Sequence, residues 1–311
     1  MYRGPGRQYF DEVARRTGFR ISGLEKAYRL VEILLRFQDD EILRDRLALK
    51  GGTALQFIYL GGRRLSVDAD FNILGAERDK MLATRRELQR VLPLLFKALG
   101  YDFNDPANDY ALLAYDLHYD TATGGRDLIK VEINTIERIP ILGTVQKKFD
   151  HPFALGSFSL STYPLEELAA GKTRAFLQRG GPKDLFDVAM LGTTLGPEID
   201  SPARELAVLY CALGMVDLRT RSVQVEVDTQ QVRNVLLPLL SGEFSDADTV
   251  VARANRFIRP LQKLTERERT FLEAFFDERR FDPESLLEDV PHRSDVAKHP
   301  VAKWVLRKRK A

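Results

Sequence analysis

The residues whose types and spacing can carry chemistry gather in the stretch Lys50–Ile73, KGGTALQFIYLGGRRLSVDADFNI. Gly51 and Gly52 are followed by Thr53 and a short apolar segment, then by Asp68 and Asp70 with one residue between them. Side chains two apart on a strand point to one face. Asp68, Asp70 and Asn72 therefore share a polar face, and Val67, Ala69, Phe71 and Ile73 share an apolar one. Two carboxylates side by side repel unless a cation lies between them, and Mg²⁺ takes carboxylate oxygens. The glycine pair allows a sharp turn and a close backbone approach to a ligand. A helix starting at Thr53 and running toward Leu60 would aim its free N–H groups back at the glycines, which suits a phosphate. A triphosphate at Gly51, Gly52 and Thr53, with metal at Asp68 and Asp70, is a layout for nucleotidyl transfer. Each half alone also fits an ordinary turn or a solvated strand face.

A strand over 47–50, the helix from Thr53 and a strand around 67–73 must position these groups. Two more strands are predicted at 110–119 and 127–136, joined through Asp120–Gly125 as an antiparallel hairpin. In the second, Lys130, Glu132 and Asn134 alternate with Ile129, Val131, Ile133 and Thr135. Glu132 is the candidate third carboxylate, to complete an acidic cluster and take the proton of an attacking hydroxyl. The alternative is a surface pair with Lys130; Asp116 is the second candidate, and His118 reads as a surface or core histidine. Farther on, Pro164 suits the first turn of a helix. There Leu165, Leu168, Ala175 and Phe176 form one stripe, with Lys172 in its middle and Arg179 on it. A lysine on an inward face costs desolvation unless it meets an anion. Lys172 either snorkels from the rim or reaches nucleotide phosphates. Gly180-Gly181-Pro182 ends that helix. The next helix sets Asp184, Asp187, Val188 and Leu191 on one face, with Asp187 read as a complement to the helix dipole.

The run L-K-G-G-T-A-L from Leu49, followed by L-S-V-D-A-D-F from Leu65, resembles the AbiEii/AbiGii nucleotidyltransferase toxins, a group that includes the MenT-type toxins. The strand bearing Glu132 and the segment Lys183-Asp184-Leu185-Phe186-Asp187 extend the resemblance over about residues 45–192. It implies an α/β (α+β) fold: a polymerase-β-like nucleotidyltransferase core with a mixed sheet, followed by a mostly helical C-terminal domain. It implies an enzyme that moves a nucleoside monophosphate from an NTP to an acceptor hydroxyl and releases pyrophosphate. Two Mg²⁺ ions would be held at Asp68 and Asp70, with Glu132 beside them. By the same match Lys172 and Asp184 are carried over as site residues, Asp184 either to orient Lys172 or to contact substrate. The implied biology is the toxin half of a toxin–antitoxin or phage-defence pair, with a cognate antitoxin and the 3′ end of tRNA as acceptor. The chain departs from many polymerase-β-like enzymes at the turn, where Gly52-Thr53 replaces Gly-Ser; a threonine hydroxyl can still donate to phosphate. The rival readings are a protein or small-molecule acceptor, such as an antibiotic, and a catalytically silent nucleotide- or partner-binding module. Ser66 is a candidate regulatory site, because phosphate there would put negative charge beside the metal ligands.

The rest of the chain sets bounds. At 311 residues, 44% hydrophobic and 30% charged, it has a globular balance and room for two domains. A net charge of +2 does not announce a nucleic-acid partner. Arg63, Arg64 and the basic end KHPVAKWVLRKRKA, with the sole tryptophan Trp304, would have to supply a local surface; a solvated tail is the alternative there. One cysteine, Cys211, rules out an internal disulfide. No stretch resembles a signal peptide, and none approaches the roughly 20 apolar residues that span a bilayer. A cytoplasmic protein without a membrane partner is expected. Helices are predicted at 8–17, at 23–45 with Ser22 and Glu25 as a capping box, and at 76–99 with Pro93 bending or splitting it. More follow near 202–213, 229–241, 246–258 and 260–280. The Pro- and Gly-bearing stretch 138–163 is expected to be irregular. It is expected to separate a nucleotidyltransferase core, residues 1–160, from a helical domain, residues 161–311, that contributes Lys172 and Asp184.

Overall fold

The computed structural model describes residues 4–106, 109–224, 226–241, 246–288 and 293–308. Helices α1 (Arg7–Thr17), α2 (Ile21–Asp39) and α3 (Glu41–Arg46) lead into β1 (Leu47–Lys50). The short α4 (Gly51–Ala54) follows at once and widens into a π-helical turn, Leu55–Tyr59. Then come β2 (Ala69–Ile73), α5 (Arg78–Ala98), β3 (Leu112–Asp120), β4 (Arg126–Asn134), β5 (Val145–Phe149) and β6 (Phe158–Thr162). The rest is helical: α6 (Leu165–Arg179), α7 (Pro182–Thr194), α8 (Ala203–Leu213), α9 (Thr229–Leu236), α10 (Ala247–Ile258), α11 (Glu266–Phe276), α12 (Arg293–Val296) and α13 (Pro300–Lys308).

The six strands form one mixed sheet in the order β3-β4-β2-β1-β6-β5. β4 runs parallel to β2, and β1 parallel to β6; the other neighbours are antiparallel. β1 is central, and Leu47, Ala48 and Leu49 are all buried, as a continuous apolar run requires when both faces are covered. Phe37 of α2 stacks on Phe71 of β2 with ring centroids 5.2 Å apart. Helix α2 thus covers the face that carries Phe71, and the strand period places Asp70 on the opposite face.

The chain divides into two compact units. The first runs to Arg138 and takes in Thr144–Thr162 and the segment that begins at Pro238, so it holds the whole sheet. Within it the Leu65 N–H donates to the Leu239 carbonyl at 2.7 Å, and Arg64 bridges Leu240 in antiparallel fashion. The second unit holds Ile139–Gly143, Tyr163–Leu237 and the helices from α10 onward. There α6 packs on α7 and α8, and α7 on α9 and α10. Leu206 through Ala212 of α8 are buried, Cys211 among them. Among the described residues no helix is long and apolar enough to cross a membrane.

Several elements differ from expectation for identifiable reasons. The helix predicted over 23–45 breaks at Asp40, whose carboxylate accepts from the Ile42 and Leu43 N–H groups at 2.9 and 3.0 Å and starts a new helix. Ser22 makes no cap, because α2 begins at Ile21. Glu25 is buried and accepts instead from the Ala122 N–H at 3.0 Å. The working capping box is Thr265 with Glu268, at the start of α11. Helix α5 runs unbroken through Pro93. The stretch 138–163 is not irregular: it contributes β5 and β6, and β5 escapes a period-two reading because Gln146, Lys147 and Lys148 are all exposed on an edge strand. The basic end is not a solvated tail over 300–308, where α13 buries Val301, Ala302 and Val305; residues 309–311 lie outside the described residues.

Candidate active site

Gly51 has φ +71°, in the left-handed region that favours glycine. The chain therefore leaves β1 in a sharp turn and enters α4 at Gly51 itself, two residues before the expected start at Thr53. A Cβ at Gly51 would overlap the Asp70 carboxylate. A Cβ at Gly52 would meet Arg64 Nη2 at 2.5 Å and Ser66 Oγ at 2.9 Å. The glycine pair is thus packed between the Asp70 side chain and the Arg64–Ser66 segment. Thr53 is fully buried; its hydroxyl donates to the Asp68 carbonyl at 2.5 Å and lies 3.1 Å from Ser66 Oγ. That bond holds the entry to β2, which corrects the expectation that Thr53 presents its hydroxyl to a phosphate. Ser66 is also buried, so the geometry does not offer it to a modifying enzyme as the regulatory reading required. Arg64 is interior too, with Nη1 donating to the Leu65 carbonyl at 3.0 Å; Arg63 is exposed.

The register sets a row of charges across three neighbouring strands. Lys50 of β1 stands opposite Asp70 of β2, Asp70 opposite Glu132 of β4, and Glu132 opposite Ala114 of β3. Asp116 stands opposite Lys130 and is exposed, so Glu132 rather than Asp116 is the neighbour of Asp70. Asp68 directly precedes β2. Burial raises the Glu132 carboxyl above its ordinary range, the charge of Asp70 and then of Asp68 adds to this, and Lys130 and Lys50 oppose it. Lys130 lies 3.9 Å from Glu132 as a half-exposed pair. Lys50 Nζ donates to Glu137 Oε2 at 2.8 Å. The loop carrying Glu137 is fixed by Asn134 Oδ1, which accepts from the Ile136 and Glu137 N–H groups at 2.8 and 2.7 Å. His118 bridges Asp102 through its backbone and pairs with Leu128 across the β3–β4 ladder.

Among the described residues no three His, Cys, Asp or Glu side chains are grouped closely enough to hold a metal ion. Asp68, Asp70 and Glu132 therefore do not close a cage; Glu132 stands beside the aspartates in the row. The donor set nonetheless suits Mg²⁺, which is held by one or two carboxylates completed by water and substrate phosphate rather than by an all-protein shell.

The second unit carries its own cluster. Helix α6 ends at Gly180, with φ +61°, and Pro182 opens α7. This hairpin sets Lys172 Nζ 3.1 Å from Asp184 Oδ1 and 2.8 Å from Asp187 Oδ2. Both carboxylates are buried, and the lysine side chain is 12% exposed. Arg179 clasps Asp184 through Nε and Nη2 at 2.6 and 3.1 Å. Its own side chain is 66% exposed, so it does not lie on the inward stripe. Burial pushes the Asp184 carboxyl up, but the hydrogen bonds and charges of Arg179 and Lys172 outweigh it and hold it below the ordinary range. Asp187 is more than a dipole complement: it is a buried partner of Lys172.

One group was not foreseen. Glu167 of α6 is buried and accepts from the Ile141 and Leu142 N–H groups, both at 2.8 Å, and from the Tyr210 hydroxyl at 2.7 Å. Burial pushes its carboxyl up to about 7. In sequence it is an acid in a first helical turn, and only its tertiary partners distinguish it.

A glycine turn packed against an aspartate-bearing strand, in a six-stranded mixed sheet followed by helices, is the mixed α/β arrangement that the resemblance implied. The model of the family described as "Nucleotidyl transferase AbiEii toxin, Type IV TA system" matches residues 32–281, and the chain belongs to that family. It is accordingly a nucleotidyltransferase of the toxin class. Among solved structures it is similar to the MenT4 nucleotidyltransferase toxin of Mycobacterium tuberculosis, at 21% identity over 96% of this chain and 98% of that one, with a TM-score of 0.60. At that identity the likeness speaks for the fold. No match is found among curated proteins.

Proposed function

We propose that the glycine turn and carboxylate row transfer a nucleoside monophosphate from an NTP to an acceptor hydroxyl, the acceptor being the 3′ end of tRNA. The observation that carries this reading is the placement of Asp70, packed against Gly51 on one side and paired in register with Glu132 on the other. Gly51 and Gly52 bring backbone N–H groups to the triphosphate. Asp68 and Asp70 would hold Mg²⁺, whose charge would make an acceptor hydroxyl easier to deprotonate and would stabilise the triphosphate. Glu132, with its raised proton affinity, takes the proton of the attacking hydroxyl. The acceptor oxygen bonds to the α-phosphorus, the bond to the bridging oxygen breaks, and pyrophosphate leaves. The resemblance alone carries Lys172 over as a residue for the phosphates; within its own unit its ammonium is held by Asp184 and Asp187. Membership of a toxin family of a type IV toxin–antitoxin system supports a cognate antitoxin; the resemblance supports phage defence and, through the MenT-type members, tRNA, and the single cysteine fits a reducing cytoplasm.

The test is incubation of the protein with total tRNA, Mg²⁺ and each α-³²P-labelled NTP separately, with Asp68→Ala as control. Label in tRNA from one NTP, lost in the variant, is the expected result. Label on protein or on a small molecule instead would replace tRNA as acceptor. Label that persists in Asp68→Ala would remove the carboxylate row from the chemistry.

A further inference from the structure

The carboxylate row is acidic, yet a triphosphate must settle beside it. Asp68, Asp70 and Glu132 are all acids, with Glu137 close by at Lys50. A substrate with several negative charges meets repulsion there unless the chain supplies a cation on the same face. Lys130 stands beside Glu132 on that face, and Lys50 is the cation next to the glycine turn. It occupies the row position opposite Asp70, directly before Gly51, and its side chain is 25% exposed, so solvent and ligand can reach it. Its ammonium is held by Glu137, on a loop that Asn134 fixes through two N–H groups.

Resting on the nucleotidyl-transfer reading above, we propose that Lys50 is a further substrate-binding residue: its ammonium moves from Glu137 to the β- or γ-phosphate of the NTP. Glu137 is a latch that parks the ammonium when no nucleotide is bound. The stem of a lysine has four rotatable carbons, so the exchange needs only side-chain rotation about a fixed strand. The latch makes two opposite predictions. Removing the ammonium weakens triphosphate binding, and removing the latch carboxylate strengthens it, because the nucleotide no longer competes with Glu137.

The experiment is equilibrium titration of the full chain with fluorescent NTP and with the matching NMP, in Mg²⁺. Wild type, Lys50→Met, Lys50→Arg and Glu137→Gln are compared. For Lys50→Met the NTP Kd should rise about tenfold, as loss of one charge-assisted contact implies, while the NMP Kd stays unchanged. Lys50→Arg should keep most of the affinity. Glu137→Gln should lower the NTP Kd severalfold, a gain that misfolding cannot imitate. Equal weakening of NTP and NMP by Lys50→Met, or no change in NTP affinity in either variant, overturns the proposal while leaving the transfer reading in place. Failure of wild type to bind any NTP overturns both.

Discussion

At the scale of single residues, the strand that carries Asp70 was legible from its alternating apolar face, although Asp68 falls just before that strand rather than on it. Thr53 and Ser66 were not: a hydroxyl near a glycine pair looks the same in sequence whether it faces a phosphate or the Asp68 carbonyl. Their burial yields a clear expectation. Thr53→Val removes the donor to Asp68 and should cost about 1–3 kcal/mol of stability, whereas Thr53→Ser keeps the hydroxyl and should stay near wild type. Urea midpoints of the two variants check this; a loss in Thr53→Ser with none in Thr53→Val would show that the methyl group rather than the bond matters. Gly51 makes a sharper prediction. An alanine there takes on a left-handed backbone, at about 1–2 kcal/mol, and drives its Cβ into Asp70. Displacing a reacting group by about 1 Å costs on the order of 100-fold in rate. Gly51→Ala should thus lose about that much kcat/KM in the tRNA-labelling assay while remaining folded by circular dichroism. Full activity would place the chemistry elsewhere.

At the scale of elements, the α6–α7 hairpin was announced by Gly180 and Pro182, and Asp184 as a group that orients Lys172 was one of two readings of that residue, but the part of Asp187 in the cluster was not legible. Asp187 carries no local sign that its partner is a lysine on the preceding helix. The two capping patterns teach the same lesson: Ser22-x-x-Glu25 fails because Glu25 is drawn to the Ala122 amide, while Thr265-x-x-Glu268 works. Strand β5 was missed for a related reason, since an edge strand exposing three polar residues in succession has no alternation to read, and its partner β6 was missed with it. The cluster also bears on how variants of Lys172 are interpreted. Lys172→Met leaves Asp184 and Asp187 buried with less compensation, and breaking a buried pair from one side costs about 3–5 kcal/mol. Lys172→Met should therefore lower the thermal midpoint as well as activity. Adding Asp187→Asn should restore much of the stability and none of the transfer. If the double variant regains transfer as well, the lysine serves the fold rather than the phosphates.

At the scale of the whole molecule, the family match crosses both units, from residue 32 to residue 281, so each unit belongs to the functional protein. The mixed sheet and the helical C-terminal part were legible from the hairpin and the motif. The return of the chain at Leu239 and Leu240 to pair with Arg64 and Leu65 was not, because isolated bridging needs no sequence period. Glu167 shows what such tertiary placement does to an ordinary acid. Its carboxyl moves from 4.5 to about 7 on folding, raised by burial. Between those values the native state binds more protons than the unfolded chain, so the contribution of this group to stability is full below the unfolded value. It is lost as pH climbs through about 7. The swing is at most roughly 3 kcal/mol, at 1.36 kcal/mol per pH unit. Glu167→Gln, which cannot ionise, should flatten that slope. The sole tryptophan, Trp304, lies on α13 in the second unit with Glu167, and its fluorescence can follow unfolding there. Urea melts at a series of pH values from about 5 to 7.5 should show the variant gaining on wild type as pH rises. Parallel curves would mean that the carboxyl does not titrate in this range and that its three donors hold it ionised throughout.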